Sequence, residues 1–336
     1  MRKYLLPLLL VLPLATTVAA CGDDEGNPNA LTVYSGRNED LVGPLLERFE
    51  KESGVDLEVR YADTAELAAT IREEGANSPA DVFFGQDAGA LGALAKEQLT
   101  APLAQSQLGK VDERFRSPAG AWVGTSARAR VIAYDSREYQ DADLPQSVFD
   151  LTQPAWKGKV GWAPTNGSFQ AFVTAMRKIA GEDRAKAWLE GMRANGVKTF
   201  DSNIAIRDAI AAGEIDLGLI NHYYVLEAKA QEGDDYPVDV HFTKAGDPGS
   251  LVNVAGVAVL KSSEKQADAA KLVDFLLATE AQKFFAEETK EYPVADGVAG
   301  PAGVPPLADL EQPDIDLSDL DDLAGTLELI ESSGAL

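Results

Sequence analysis

Two adjacent phenols are the most chemically pointed feature of the sequence. Tyr223 and Tyr224 stand in Asn221-His222-Tyr223-Tyr224, directly after the alternating run 214–220. A free tyrosine has a pKa of about 10, so at neutral pH it carries no charge. A hard trivalent cation such as Fe³⁺ would stabilise the phenolate directly, and binding it would release protons. Neighbouring residues in a strand point to opposite faces. The two rings can therefore face one ion only if the strand has ended before them. A helix N-terminus at that point would also favour anionic ligands. The residues leave a second reading open, an aromatic pair packed between two parts of the fold.

Other polar loops fall at the ends of strand-like runs. They are Ser35-Gly36-Arg37-Asn38, Gly85-Gln86-Asp87, Thr165-Asn166-Gly167-Ser168 and the region of Asn203. Ligands of open α/β sheets bind beyond the carboxyl ends of strands, and Gly- and Ser-rich turns into helices offer N–H groups to an anion. Convergence of these loops points to a polar cleft. The sequence contains no Walker A motif, GxGxxG, G-x-S-x-G or H-E-x-x-H. His222 and His241 are its two histidines, and neither has a nucleophile around it. A binding role is expected, not an enzymatic one.

The elements that must position these loops alternate. Runs 31–34, 55–61 and 81–84 are β-prone, and helical patterns 41–49, 64–74 and 88–96 follow them in turn. This βαβαβα order implies a parallel sheet covered by helices, an α/β fold. Two strand-like runs, 121–126 and 129–135, come next, then a strand over 158–162 and helices over 169–180 and 182–195. Ser202 or Asn203 caps a further helix that ends near Gly213. The apolar strand 252–260 and a helix over 264–286 follow. Two α/β units result, and the chain leaves the first near 121–133 and returns near 252–260.

The 336 residues hold 30 Lys and Arg against 54 Asp and Glu, a net charge of −24. Such a chain is repelled by phosphate backbones and anionic lipid, so nucleic acid is excluded as a partner. One cysteine rules out a disulfide framework. That cysteine, Cys21, follows Arg2, Lys3 and a short apolar stretch, Leu5 to Leu14, and stands in Val18-Ala19-Ala20-Cys21-Gly22. The stretch is too short and too Pro-broken for a spanning helix. It resembles a bacterial lipoprotein signal over 1–20, cleaved before Cys21, with a polar tether over 21–30. The mature protein is then expected in the cell envelope, lipid-anchored at Cys21 on the outer face of the cytoplasmic membrane. The last segment, 299–336, has nine acids and no base, with Leu307, Leu310, Leu317, Leu320, Leu323, Leu327 and Ile330 at three- and four-residue steps. Part of it should be an amphipathic helix lying on one lobe.

Several segments resemble the periplasmic ferric-iron-binding proteins of ABC transporters, the bacterial transferrin-like group of extracellular solute-binding proteins. They are LTVYSGRNEDLV, SPADVFFGQDAGAL, TSARARVIAYD, KGKVGWAPTNGSFQAF, GEIDLGLINHYY and VAGVAVLKSSEKQADAAKLVDFLLATEAQKFFAE. The resemblance implies a two-lobed periplasmic-binding-protein fold, type II-like, with lobes joined by two hinge strands. Lobe 1 would comprise 31–125 and 252–298, lobe 2 126–251, and 299–336 an acidic extension. It implies Fe³⁺ held by Tyr223 and Tyr224, with carbonate or phosphate as synergistic anion. Arg37, Asn38, Gln86, Arg128, Asn166, Gly167, Ser168, Asn203 and Asn221 would bind the anion or support the ligands. It implies delivery to an ABC permease by a monomer. Many members have a His where this chain has Asn38, a Glu where it has Gln86, and some a third tyrosine in the turn that here reads Thr165-Asn166-Gly167. The same fold could instead hold an oxyanion such as a phosphonate or sulfate, or chelated iron.

Overall fold

The computed structural model describes residues 27–233 and 235–336; the leader, Cys21 and most of the tether lie outside them. Among the described residues ten strands form one continuous sheet: β1 Leu31–Ser35, β2 Leu57–Tyr61, β3 Val82–Gly85, β4 Val123–Asp135, β5 Val160–Trp162, β6 Lys198–Thr199, β7 Leu217–Asn221, β8 Val238–His241, β9 Val252–Val259 and β10 Tyr292–Pro293. The order is β2-β1-β3-β9-β4-β7-β5-β6, with β8 and β10 also on β4.

In lobe 1, β2, β1 and β3 run parallel, and β9 closes antiparallel on β3. Every residue of β3 and β9 is buried, because helices cover both sheet faces. The edge strand β2 alternates between exposed and half-buried residues, with its outer face in water. In lobe 2, β5 pairs in parallel with both β6 and β7. Its core gathers Trp162, Phe169, Phe172 and Trp188 edge to face around Met176 and Met192.

The two lobes share β4. Its first half pairs with β9 as far as Ala129↔Val252, and its second half pairs with β7 from Arg130↔Asn221. The chain returns at Leu251, whose carbonyl accepts the Arg130 N–H at 2.8 Å. The crossover therefore lies at 129–130 on the way out and 251–252 on the way back, a few residues beyond the expected break at 125/126. The runs 121–126 and 129–135 are one thirteen-residue strand with a register shift between Gly124 and Ser126.

Other elements depart from the sequence pattern. The helix expected over 264–286 is two, Gln266–Leu276 and Thr279–Glu287, separated at Leu277 and Ala278. The tail is helical only at its end, Leu323–Ser332, after the 3₁₀ turns Leu307–Asp309 and Leu317–Asp321. Pro305, Pro306 and Pro313 break the earlier part. The periodic leucines serve two cores, not one helix face. Leu310, Leu317 and Leu320 join lobe 1, while Leu329 and Ile330 join lobe 2. The extension thus reaches both lobes, where one was expected.

Candidate functional site

Strand β7 ends at Asn221 and the helix Tyr223–Glu232 begins two residues later, with His222 already in helical conformation. This junction turns both tyrosines the same way. Their ring centroids lie 4.1 Å apart with planes 30° apart. Tyr223 is buried, Tyr224 half-buried, and both line a cavity of about 470 Å³ between the lobes. His222 fixes the junction to the crossover. Its N–H donates to the Ala129 carbonyl at 3.1 Å, and its Nδ1 accepts the Ala129 N–H at 3.2 Å. Burial pushes the imidazole down to about 4, so at neutral pH the ring is uncharged. It stacks on Tyr292 at 4.6 Å.

Burial, and next the neighbouring Tyr224, hold the Tyr223 phenol well above the ordinary tyrosine value; Arg128 opposes them. Without a bound cation Tyr223 is therefore a neutral phenol. Two buried guanidinium groups share the cavity. Arg128 and Arg130 stand two residues apart on β4, on the same strand face. Arg128 donates through Nη2 to the Gln86 carbonyl. Arg130 donates to the Leu219 carbonyl at 2.6 Å and to Ser168 Oγ at 3.3 Å, with its guanidinium 5.3 Å from the Phe172 centroid. Burial pulls Arg130 down to about 9 and lowers Arg128 as well. The Nε of each is buried without a hydrogen-bond partner among the described residues, that of Arg128 lying 3.9 Å from the Glu291 carboxylate. Desolvated cations so placed favour an anionic ligand.

The anion turn is assembled from two segments. Asn166 caps the helix Gly167–Ala180, its Oδ1 accepting from Ser168 N at 3.0 Å and Ser168 Oγ at 2.6 Å. Asn203, buried at the start of the helix Asn203–Ala211, donates to Asn166 Oδ1 and Ser168 Oγ, both at 3.2 Å. Its own Oδ1 is left without a partner among the described residues. Asn166, Gly167, Ser168 and Asn221 all line the cavity, as do Gln86 and the half-buried Asp87.

Two expected site residues stand elsewhere. Asn38 is exposed and caps the helix Glu39–Ser53, accepting the Asp40 N–H at 2.9 Å. A residue consumed by a helix start on the surface does not reach the cavity. Arg37 is buried behind the lining. It pairs with Glu291 through both terminal nitrogens, at 3.0 and 2.7 Å, and donates to Gln86 Oε1 at 2.8 Å. Its charge is neutralised there, so it acts on the cavity only through Gln86 and Glu291.

Arg130 and Glu291 were not among the residues singled out from sequence. The two-residue step from Arg128 was a usable signal for Arg130. Glu291 offered none, since its partner Arg37 is 254 positions away. Burial alone would raise the Glu291 carboxyl, but Arg37, Arg128 and hydrogen bonds from Arg37 and Ser126 outweigh it and hold the carboxyl below the usual range. No cluster of three or more His, Cys, Asp or Glu side chains that could hold a metal occurs among the described residues. The arrangement can bind a hard cation through phenolates and, beside it, an anion.

Comparison with known proteins gives consistent neighbours. The family of bacterial extracellular solute-binding proteins matches over residues 77–316. The major ferric iron-binding protein of Neisseria meningitidis serogroup B is 34% identical over 307 residues, covering 90% of this chain and 92% of that protein. The Fe(3+)-binding periplasmic protein of Serratia marcescens is 32% identical over 325 residues, 96% of this chain and 94% of that one. Among solved structures, iron-bound HitA from Pseudomonas aeruginosa superposes with a TM-score of 0.84 at 35% identity, over 91% of this chain and 99% of that chain. The Trichodesmium IdiA (FutA) protein in complex with iron and citrate ligands gives 0.79 at 31% identity, over the same shares.

Proposed function

The chain belongs to the family of bacterial extracellular solute-binding proteins, and from that premise we propose that it is a ferric-iron carrier. It captures Fe³⁺ in the interlobe cleft and delivers it to the permease of an ABC transporter. Its role is carriage, not catalysis. The observation that carries this reading is the pair of stacked phenols at a helix start, facing a cavity that two buried arginines also line.

The chemistry follows from charge. Tyr223 is a neutral phenol until a cation takes the place of its proton. Two phenolates lower the ferric charge from +3 to +1, and Arg128 and Arg130 add positive charge beside it. An anion restores balance and fills positions of the shell that the two phenolates leave open. The Asn166–Ser168 turn and the two guanidinium groups are the residues placed to hold it. Carbonate and phosphate fit that description. A second form is iron that arrives with an organic polycarboxylate: the cleft of about 470 Å³ has room for one, and the Trichodesmium relative was solved with iron and citrate ligands.

Titration of the purified protein with Fe³⁺ in carbonate, phosphate or citrate tests the reading. A visible phenolate-to-iron band is expected, and the medium that supports it most tightly identifies the anion. No band in any medium would favour an oxyanion ligand, with the tyrosines as hydrogen-bond donors. Because each phenol must lose its proton, apparent iron affinity should rise with pH, by up to roughly a hundredfold per unit while two protons are released. A flat profile from pH 6 to 8 would remove the phenolate assignment.

We also propose that the protein is a monomer anchored by lipid on Cys21. Fractionation of the Cys21→Ser variant should move it from membrane to soluble fraction. Retention on the membrane would require another anchor.

A further inference from the structure

The two helices that begin at the cavity, one in each lobe, are joined by the C-terminal segment. The helix Ala88–Lys96 starts at Asp87, and its first N–H donates to Asn253 Oδ1 at 3.3 Å, beside the crossover. The turn Leu317–Asp321 lies along this helix. It does so backbone to helix. A Cβ on Gly89 would stand 2.3 Å from the Leu320 carbonyl oxygen, and one on Gly92 2.5 Å from that of Ser318. Lys96, further along, pairs with Asp319 and Asp321 at 3.2 and 2.9 Å.

One residue later the chain is on the other lobe. Asp322 caps the helix Leu323–Ser332, which packs on Gly167–Ala180, the helix that starts at the anion turn. Arg177 of that helix donates to the Asp322 carbonyl at 3.1 Å, to its Oδ2 at 2.8 Å and to Thr326 Oγ1 at 2.7 Å. Thr174 and Thr326 are hydrogen-bonded in the interior at 2.7 Å. Leu320, Asp321 and Leu323 line the same cavity as the tyrosines.

The joint has no slack. Between the turn on lobe 1 and the helix on lobe 2 stands Asp322 alone, and one residue extends about 3.5 Å at most. Separation of the lobes must therefore peel the segment from one of them. The lobe-2 end is held by the buried Thr174–Thr326 hydrogen bond, the part-buried bonds from Arg177, and Leu329 and Ile330 in the lobe-2 core. On lobe 1 the turn itself holds through Leu317 and Leu320, a glycine-lined groove and the Lys96 ion pairs, and ion pairs at the surface contribute little. We infer that the C-terminal segment is a strap across the ligand cleft, which rides with lobe 2, limits how far lobe 1 swings away and slows ligand loss.

Two variants of the full-length protein test this. Gly92→Leu puts a side chain where the Ser318 carbonyl lies, in a helix that leucine favours over glycine. Lys96→Glu leaves packing alone and sets like charge against Asp319 and Asp321. Small-angle scattering of the ligand-free proteins should give a larger radius of gyration for both, more so for Gly92→Leu. Iron release to a competing chelator should be several-fold faster, with the visible band unchanged in position. Wild-type radius and wild-type release in both variants would overturn the inference. The release readout rests on the ferric-carrier reading, whereas the scattering readout does not. A wild-type protein that fails to bind iron therefore removes the former and leaves the latter to decide.

Discussion

Replacing either Tyr223 or Tyr224 by phenylalanine should abolish tight iron binding while leaving the fold intact. Each change keeps the ring and removes one oxygen. The rings pack at 4.1 Å, and that contact survives. For Tyr223, whose hydroxyl is desolvated, the loss of a buried polar group should leave the melting temperature near that of the wild type. Binding is different. Loss of an outer-shell partner commonly costs 10- to 100-fold in metal affinity, and loss of a ligand should exceed that. Two phenolates are the anionic donors the chain places side by side here, so each carries a large share of the interaction. Iron titrations of the two single variants, read at the visible band, check this. Near-wild-type affinity in both would assign the pair to packing alone.

The second large effect is expected at Glu291. The Arg37–Glu291 pair is almost fully buried, with side-chain exposures of 0% and 1%, and Arg128 stands 3.9 Å from the same carboxylate. Glu291→Gln preserves shape but leaves the buried Arg37 without its paired carboxylate and removes the nearer of the two carboxylates, Glu291 and Asp87, that act on Arg128. Breaking a buried pair from one side typically costs about 3–5 kcal/mol. For a protein of this size that corresponds to a fall in Tm on the order of 10 °C. The pH dependence has a definite sign. A carboxyl held below its usual pKa of about 4.3 contributes stability that is fully present above that value. The contribution is lost as pH falls through the lower, folded-state pKa. The gap between wild type and variant should therefore be widest near neutrality and shrink in acid. Thermal unfolding at pH 7 and at about pH 3 measures it. An equal gap at both would mean that shape, not charge, is what Glu291 supplies.

What could be read from sequence was local. The tyrosine pair announced its geometry because the strand, the break and the helix start lie within one stretch, from β7 through Tyr223–Glu232. Strand alternation and helix punctuation placed seven of the ten described strands for the same reason, and missed the short β6, β8 and β10. Asn166, Ser168 and Asn203 were visible as helix-start residues, although their contact across 37 and 35 positions arises only when β5 and the helix Asn203–Ala211 come together. Asn38 misled because a helix cap and an anion-binding asparagine have the same local sequence. Glu291 was invisible, since a single acid gives no periodic signal and its partners sit on other strands and loops. The tail misled in another way. Leucines at helical steps satisfied two separate cores through turns and a short helix, and burial alone does not report which backbone delivers it.

The division of lobe 1 into two stretches of sequence has a kinetic consequence. The sheet of lobe 2 is written without interruption, and β4 can meet β7 and β8 within one contiguous span, with only the helix Leu323–Ser332 added later from the C-terminus. Lobe 1 cannot finish its sheet that way. Strand β3 needs β9, with Val82 opposite Val259, a separation of 259 − 82 = 177 positions. Closing so long a loop is entropically demanding, and non-local pairing slows folding. Until β9 arrives, β3 presents an apolar edge with unpaired N–H and C=O groups, a surface prone to wrong pairing. Lobe 2, once formed, shortens the problem, because it brings the end of β4 and the start of β9 together at Arg130 and Leu251. The expected order of assembly follows from the crossover: the sheet of the inserted lobe condenses first, and the sheet that opens the chain is completed after it.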